Sequence, residues 1–295
     1  MNWLQLRLDT TPEKLEVLEA LMLATGSVAV TLEDNADQPV LEPAVGETPL
    51  WNQTRLTGLY RADADMAEVL SQFPAALLAN SNHRVEILED KDWEREWTKH
   101  YQPMQFGDSF WVCPSWISPP DPNATTLLLD PGLAFGTGTH PTTALCLTEL
   151  AAMTLTGQSV VDYGCGSGIL GVAALQLGAK KVLAVDNDPQ ALVASRDNAQ
   201  RNHVAPASLE VALPEDVDID IHAGVAELVI ANILAGPLIA LSDTLLALLK
   251  PGGTLLLSGL ISSQAQQLCV HYAPRIQLRI ASEHDGWVCL RGEFD

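Results

Sequence analysis

The sequence is short of positive charge, of aromatic side chains and of long apolar runs. It carries 16 Lys and Arg against 37 Asp and Glu, a formal net charge of −21 at pH 7. Such a surface repels phosphate backbones at long range, which argues against free DNA or RNA as a partner. It fits either attraction of a basic protein or plain solubility. No apolar run approaches the roughly 20 residues that a membrane span needs, and Met1 to Thr10 lacks a basic stretch followed by an apolar one. A soluble, unexported, cytoplasmic protein is expected. The five cysteines, Cys113, Cys146, Cys165, Cys269 and Cys289, form no C-x-x-C pair and no cluster with histidine at metal spacing. They read as reduced thiols, and no metal site is expected.

What is present is a chain long enough for two domains, 295 residues with 47% hydrophobic content. Near the N-terminus Leu4, Leu6 and Leu8 alternate as in a half-buried strand, and Thr11-Pro12-Glu13 opens a helix carrying Leu15, Leu18, Leu21 and Met22. Strands at 27–31, 56–60 and 84–88 and a helix at 64–73 complete a β-α-β-β-α-β order, the pattern of a ferredoxin-like α+β sandwich. That fold has no intrinsic activity, so residues 1–90 are expected to serve recognition. Residues 91–105 read as a linking helix with Trp93 and Trp97 one turn apart, and a hinge is expected there. Residues 106–295 form the second domain, where strands and helices alternate from Thr125 as in a doubly wound α/β sheet. Its expected strands include 160–161, 182–185, 228–231 and 254–257. Helices are expected at 169–177, 190–202 and 238–249, and a final hairpin at 277–290.

Between a buried strand and a helix lies Asp162-Tyr163-Gly164-Cys165-Gly166-Ser167-Gly168. Its glycines allow a sharp turn and close approach of a ligand at the C-terminal edge of the sheet. They do not name the ligand, because Gly166-Ser167-Gly168-Ile169-Leu170-Gly171 also satisfies the dinucleotide fingerprint G-x-G-x-x-G. Asp186, at the end of the next strand, can grip ribose hydroxyls in either case. Asp162 discriminates. A carboxylate here sits badly beside a pyrophosphate but favours the ammonium and sulfonium of S-adenosylmethionine. Asp162 to Gly168 resembles the first motif of class I methyltransferases, and Val185-Asp186-Asn187-Asp188 resembles their second. Asn232 ends the fourth strand and can orient an incoming nucleophile or hold the cofactor; Ile233 and Leu234 stand where several amine methyltransferases have prolines.

Upstream, Leu129-Asp130-Pro131-Gly132-Leu133-Ala134-Phe135-Gly136-Thr137-Gly138-Thr139-His140-Pro141-Thr142-Thr143 is a loop rich in N–H and hydroxyl donors. With Asp162 to Gly168, Asn232-Ile233-Leu234-Ala235 and Asp92-Trp93-Glu94-Arg95-Glu96-Trp97, it resembles the PrmA family of bacterial ribosomal-protein methyltransferases over essentially the whole chain. The resemblance implies a seven-stranded Rossmann-like sheet behind a ferredoxin-like recognition domain. It implies S-adenosylmethionine as cofactor and ribosomal protein L11 as partner, methylated on lysine side chains and its N-terminal α-amino group. It places Thr143, Gly164, Asp186 and Asn232 at the cofactor, with Phe135, Gly136, Thr137 and Thr139 lining it; Asp162, Gly166 and Asn187 join them from the two motifs. Asn232 is the expected catalytic residue. No general base is assigned, since His140, beside a proline, reads as structural. A monomer is expected.

Overall fold

The computed structural model describes residues 3–36, 38, 49–79, 81–88, 101–130, 136 and 138–295. Of the linking helix expected at 91–105, residues 91–100, with Trp93 and Trp97, lie outside the described residues, as do Phe135 and Thr137; residues 101–105 are not helical, and Met104 and Gln105 belong to a short strand. The chain divides into two compact units, Met1–Lys99 and His100–Asp295.

The first unit runs β1 (Trp3–Thr10), α1 (Pro12–Ala24), β2 (Ala29–Asp34), β3 (Thr54–Arg61), α2 (Met66–Ser71), α3 (Ala75–Leu78) and β4 (His83–Leu88). Its sheet has the order β2-β3-β1-β4, every neighbour antiparallel, which is the ferredoxin-like arrangement. Leu6 and Leu8 of β1 pack on Leu15, Leu18 and Met22 of α1, so the period of two in the strand meets the helical period on one core. The helix expected at 64–73 is present as the shorter α2, and a further helix, α3, follows it beyond that span. Asp65 caps α2 by accepting from the N–H groups of Ala67 and Glu68, and Pro74 forces a fresh start for α3.

The second unit opens with β5 (Met104–Phe106), β6 (Phe110–Cys113) and β7 (Thr125–Leu128), a small sheet of its own. There follow α4 (Pro141–Ala152), β8 (Ser159–Tyr163), α5 (Ile169–Gln176), β9 (Lys181–Val185), α6 (Pro189–Arg201) and β10 (Leu209–Ala212). The chain then runs α7 (Ile219–His222), β11 (Ala226–Asn232), α8 (Ala235–Ala240), α9 (Ser242–Leu248) and β12 (Leu249–Ile261). It ends with α10 (Ser262–Tyr272), β13 (Arg279–His284) and β14 (Trp287–Glu293).

The last seven of these strands form one sheet, ordered β10-β9-β8-β11-β12-β14-β13. All neighbours are parallel except β14, which runs antiparallel to both β12 and β13. Asp285 and Gly286 both have positive φ, 50° and 78°, and make the tight turn of the β13–β14 hairpin. The expected helix 238–249 is interrupted at Leu241, where α8 ends and α9 begins. One face of the sheet buries Leu147, Leu150, Leu170 and Val172; the other buries Leu238, Leu245, Leu268 and Tyr272. The chain steps outward from β8 through β9 to β10 on one side, and from β11 through β12 to the β13–β14 hairpin on the other. The order therefore reverses between these two, and a ligand crevice is expected at their C-terminal ends.

Candidate functional site

A cavity of about 680 Å³ opens at that reversal, lined by residues that include Tyr163, Gly164, Gly166, Asp186, Asn187 and Asn232. The turn after β8 is held at φ +81° at Gly164, where an added Cβ would lie 2.2 Å from Ile233 Cγ2. Only glycine lets this turn pack against the turn after β11. Gly168, at φ +75°, plays the same part toward α6, since a Cβ there would meet Ser195 Oγ at 2.7 Å. The backbone N–H of Gly166 donates to Asp186 Oδ2 at 2.8 Å, and that of Asp188 to Asp186 Oδ1 at 3.0 Å. Each carboxylate oxygen keeps a further lone pair for ligand hydroxyls.

Asp162 is placed differently from the expectation drawn from charge. It is 0% exposed and is not among the residues lining the cavity. Its Oδ2 accepts from the N–H of Gly171 in the first turn of α5 at 2.8 Å, while Oδ1 is buried with no hydrogen-bond partner. Burial pushes its pKa up to about 7, against the Gly171 N–H bond and helped by the charge of Asp186. The carboxyl ties the glycine turn to its helix from beneath.

Asn232 ends β11 beside Ser258 of β12, with its Nδ2 donating to Thr143 Oγ1 at 3.2 Å. Thr143 itself is fully buried and stands behind the amide. That bond leaves Asn232 Oδ1 without a partner. An orphaned buried acceptor at a cavity wall is costly unless something donates to it. Gly136 lies over the glycine turn, its carbonyl accepting from Ser167 Oγ at 2.6 Å. Thr139 is exposed just ahead of α4, and neither residue is among those lining the cavity.

Sequence reasoning missed much of the wall. His140, Thr142, Pro214, Ile233, Pro237 and Trp287 all line it. His140 caps α4, its Nδ1 lying 2.8 Å from Thr142 Oγ1, and its ring meets Trp287 edge to face at 4.9 Å between centroids. Burial lowers its pKa, so the imidazole is neutral at neutral pH. Gly259 is the one missed residue with a readable signal, being a glycine at the end of a predicted strand. At φ +89° its Cβ would fall 2.2 Å from the Ile233 carbonyl oxygen.

The comparisons agree with this geometry. Residues 2–295 match the family described as Ribosomal protein L11 methyltransferase (PrmA). The enzyme of that name from Teredinibacter turnerae is 51% identical over 293 residues, covering 99% of this chain and 97% of the relative. Its counterpart from Pseudomonas aeruginosa is 49% identical, with 99% and 98% covered. A crystal structure of ribosomal protein L11 methylase from Lactobacillus delbrueckii subsp. bulgaricus superposes with a TM-score of 0.59 at 30% identity, spanning 66% of this chain and 100% of that one. The chain belongs to the ribosomal protein L11 methyltransferase (PrmA) family.

Proposed function

We propose that this chain transfers methyl groups from S-adenosylmethionine to amino groups of ribosomal protein L11, on lysine side chains and at the N-terminal α-amine. The observation that carries the site assignment is the Asn232 amide, pinned by Thr143 with its oxygen unpartnered, at the end of β11. The residues present fit the cofactor: glycines that admit close approach at 164 and 166, and a carboxylate at 186 with lone pairs to spare. Asp186 takes the ribose hydroxyls, and Gly164 lies against the methionine portion. Asn187 and Gly166 complete that end of the cleft. Bound S-adenosylmethionine supplies an electrophilic methyl group.

Asn232 Oδ1 accepts an N–H of the incoming amine and so aims the nitrogen lone pair; alignment of this kind contributes much of the rate. Lysine is mostly protonated at neutral pH. The walls contributed by Ile233, Pro237, Leu241 and Trp287 desolvate the amine and favour its neutral form. His140, neutral and oriented by Thr142, closes this apolar end. Asp162 and Thr143 work through the residues they hold, the first through Gly171 and the second through Asn232.

Residues 1–90 hold the ribosomal protein, and the connecting segment ahead of β5 acts as the linker and hinge that re-aims it at separated amines. The family resemblance assigns Phe135, Gly136, Thr137 and Thr139 to cofactor binding. The enzyme works as a cytoplasmic monomer, without nucleic acid; no helix among the described residues is long and apolar enough to cross a membrane. Incubation with methyl-labelled S-adenosylmethionine and purified L11 tests the reading. Label on L11 amines is expected, and its absence while the cofactor still binds would remove the substrate assignment and leave the methyltransferase fold standing.

A further inference from the structure

The sheet edge opposite the cofactor cleft carries a second cavity, of about 400 Å³, lined by residues that include Thr154, Glu227, Lys250, Thr254 and Arg291. Its carboxylate is already engaged. Glu227 accepts from Lys250 Nζ at 2.6 Å through one oxygen and from the backbone N–H of Ser159 at 2.7 Å through the other. Arg291 has no such counterpart. No hydrogen bond or ion pair reaches its guanidinium among the described residues, and its Nε is buried without a partner. Directly across the β13–β14 ladder stands Arg279, on the same face and likewise without an ion pair among the described residues.

Like charges placed directly opposite one another weaken a strand pair. In a chain with 37 carboxylates against 16 cations, partners for both arginines were abundant. With Lys250 paired to Glu227, Arg291 leaves one unpaired positive charge among the lining residues, beside Thr154 and Thr254, and Arg279 adds a second across the ladder, outside the lining residues. A guanidinium fork matches the edge of a tetrahedral dianion, and the volume falls in the range of about 300 to 1,000 Å³ usual for small-molecule sites. The net charge of −21 repels a polyanion such as nucleic acid, so a small ligand fits better than a strand.

We propose that this cavity binds a small phosphate-bearing molecule, its phosphoryl oxygens held by Arg291, Lys250 and the hydroxyls of Thr154 and Thr254. Ala152 and Met153, from the C-terminal end of α4, share the wall. If Arg291 merely offset the carbonyls of that helix end, no ligand would bind.

Calorimetric titration of the intact protein at fixed ionic strength, with inorganic phosphate, glycerol 3-phosphate and succinate as probes, separates the two. Saturable binding of one equivalent of either phosphate probe, and not of succinate, is expected. Glycerol 3-phosphate binding tighter than inorganic phosphate would assign a phosphomonoester, and the reverse order the free anion. Arg291→Gln should weaken that binding by about tenfold, as for loss of a charge-assisted hydrogen bond. Arg279→Gln should weaken it by a few-fold, and S-adenosylmethionine affinity should be unchanged in both. Should Arg291→Gln fail to fold, Arg291→Lys, which keeps the charge and loses the fork, carries the same readout. No saturable binding, equal binding of succinate, or phosphate affinity untouched by these changes would overturn the proposal.

Discussion

The two ends of the cleft are made by different means. At the Asp186 end the backbone does the shaping: positive φ at Gly164 and Gly166, and amide groups that fix a carboxylate. At the Asn232 end the wall is assembled from side chains of α4, the turn after β11, α8 and the start of β14. A backbone-made site needs glycines and a carboxylate at set spacing, and these can be read in a sequence. A wall gathered from distant elements leaves no local pattern. The backbone end should therefore be the more brittle to substitution, and the side-chain end should govern which amine is used.

The sharpest way to break the comparison is Gly164→Val. Its Cβ would collide with Ile233 Cγ2 at 2.2 Å, at a φ that β-branched residues avoid. Cofactor binding should be lost outright in equilibrium dialysis; near-normal affinity would show that the turn relaxes freely. Next comes Asn232→Ala, which removes the orienting acceptor. The turnover rate on L11 should fall by about a hundredfold, the scale of a small misplacement of reactants, and a fall in cofactor affinity alone would assign Asn232 to the cofactor.

Asp186→Ala should weaken S-adenosylmethionine binding by roughly 1 to 3 kcal/mol, the range for a lost charge-assisted hydrogen bond. Unchanged affinity would mean that the ribose is held elsewhere. Trp287→Ala tests the other end: about a tenfold rise in KM for L11 is expected, the upper range of an aromatic contact, with cofactor affinity unmoved. Equal losses in both would erase the distinction between the ends.

What could be read beforehand follows the same division. The order of β1 to β4, the glycine turn, Asp186 and Asn232 were all legible, because alternation, helical spacing and glycine placement are local properties of the chain. β5 and β6 were not, being strands of three and four residues, too short to show a period. The break between α8 and α9 was hidden because apolar spacing runs straight through Leu241. Trp287 falls within the expected final hairpin, but its meeting with His140 depends on how β14 lies against α4.

Asp162 belongs to both accounts: its presence was legible and its placement was not. Charge alone put it facing a cation, whereas the fold buries it under the turn with one oxygen on the Gly171 N–H. Asp162→Asn should have the smallest effect on turnover, because an amide oxygen can still accept that bond, and its value lies in the pH profile. The carboxyl moves from an ordinary 3.8 to about 7 on folding, chiefly through burial. The folded state therefore holds a proton that the unfolded chain releases between these values. The stability associated with the neutral carboxyl is complete below about pH 4 and is lost progressively as pH rises toward 7, levelling off above. Denaturant titrations of wild type and Asp162→Asn across pH 4 to 8 should diverge with rising pH, the variant lacking this decline. Parallel profiles would mean that folding does not change the protonation of this carboxyl.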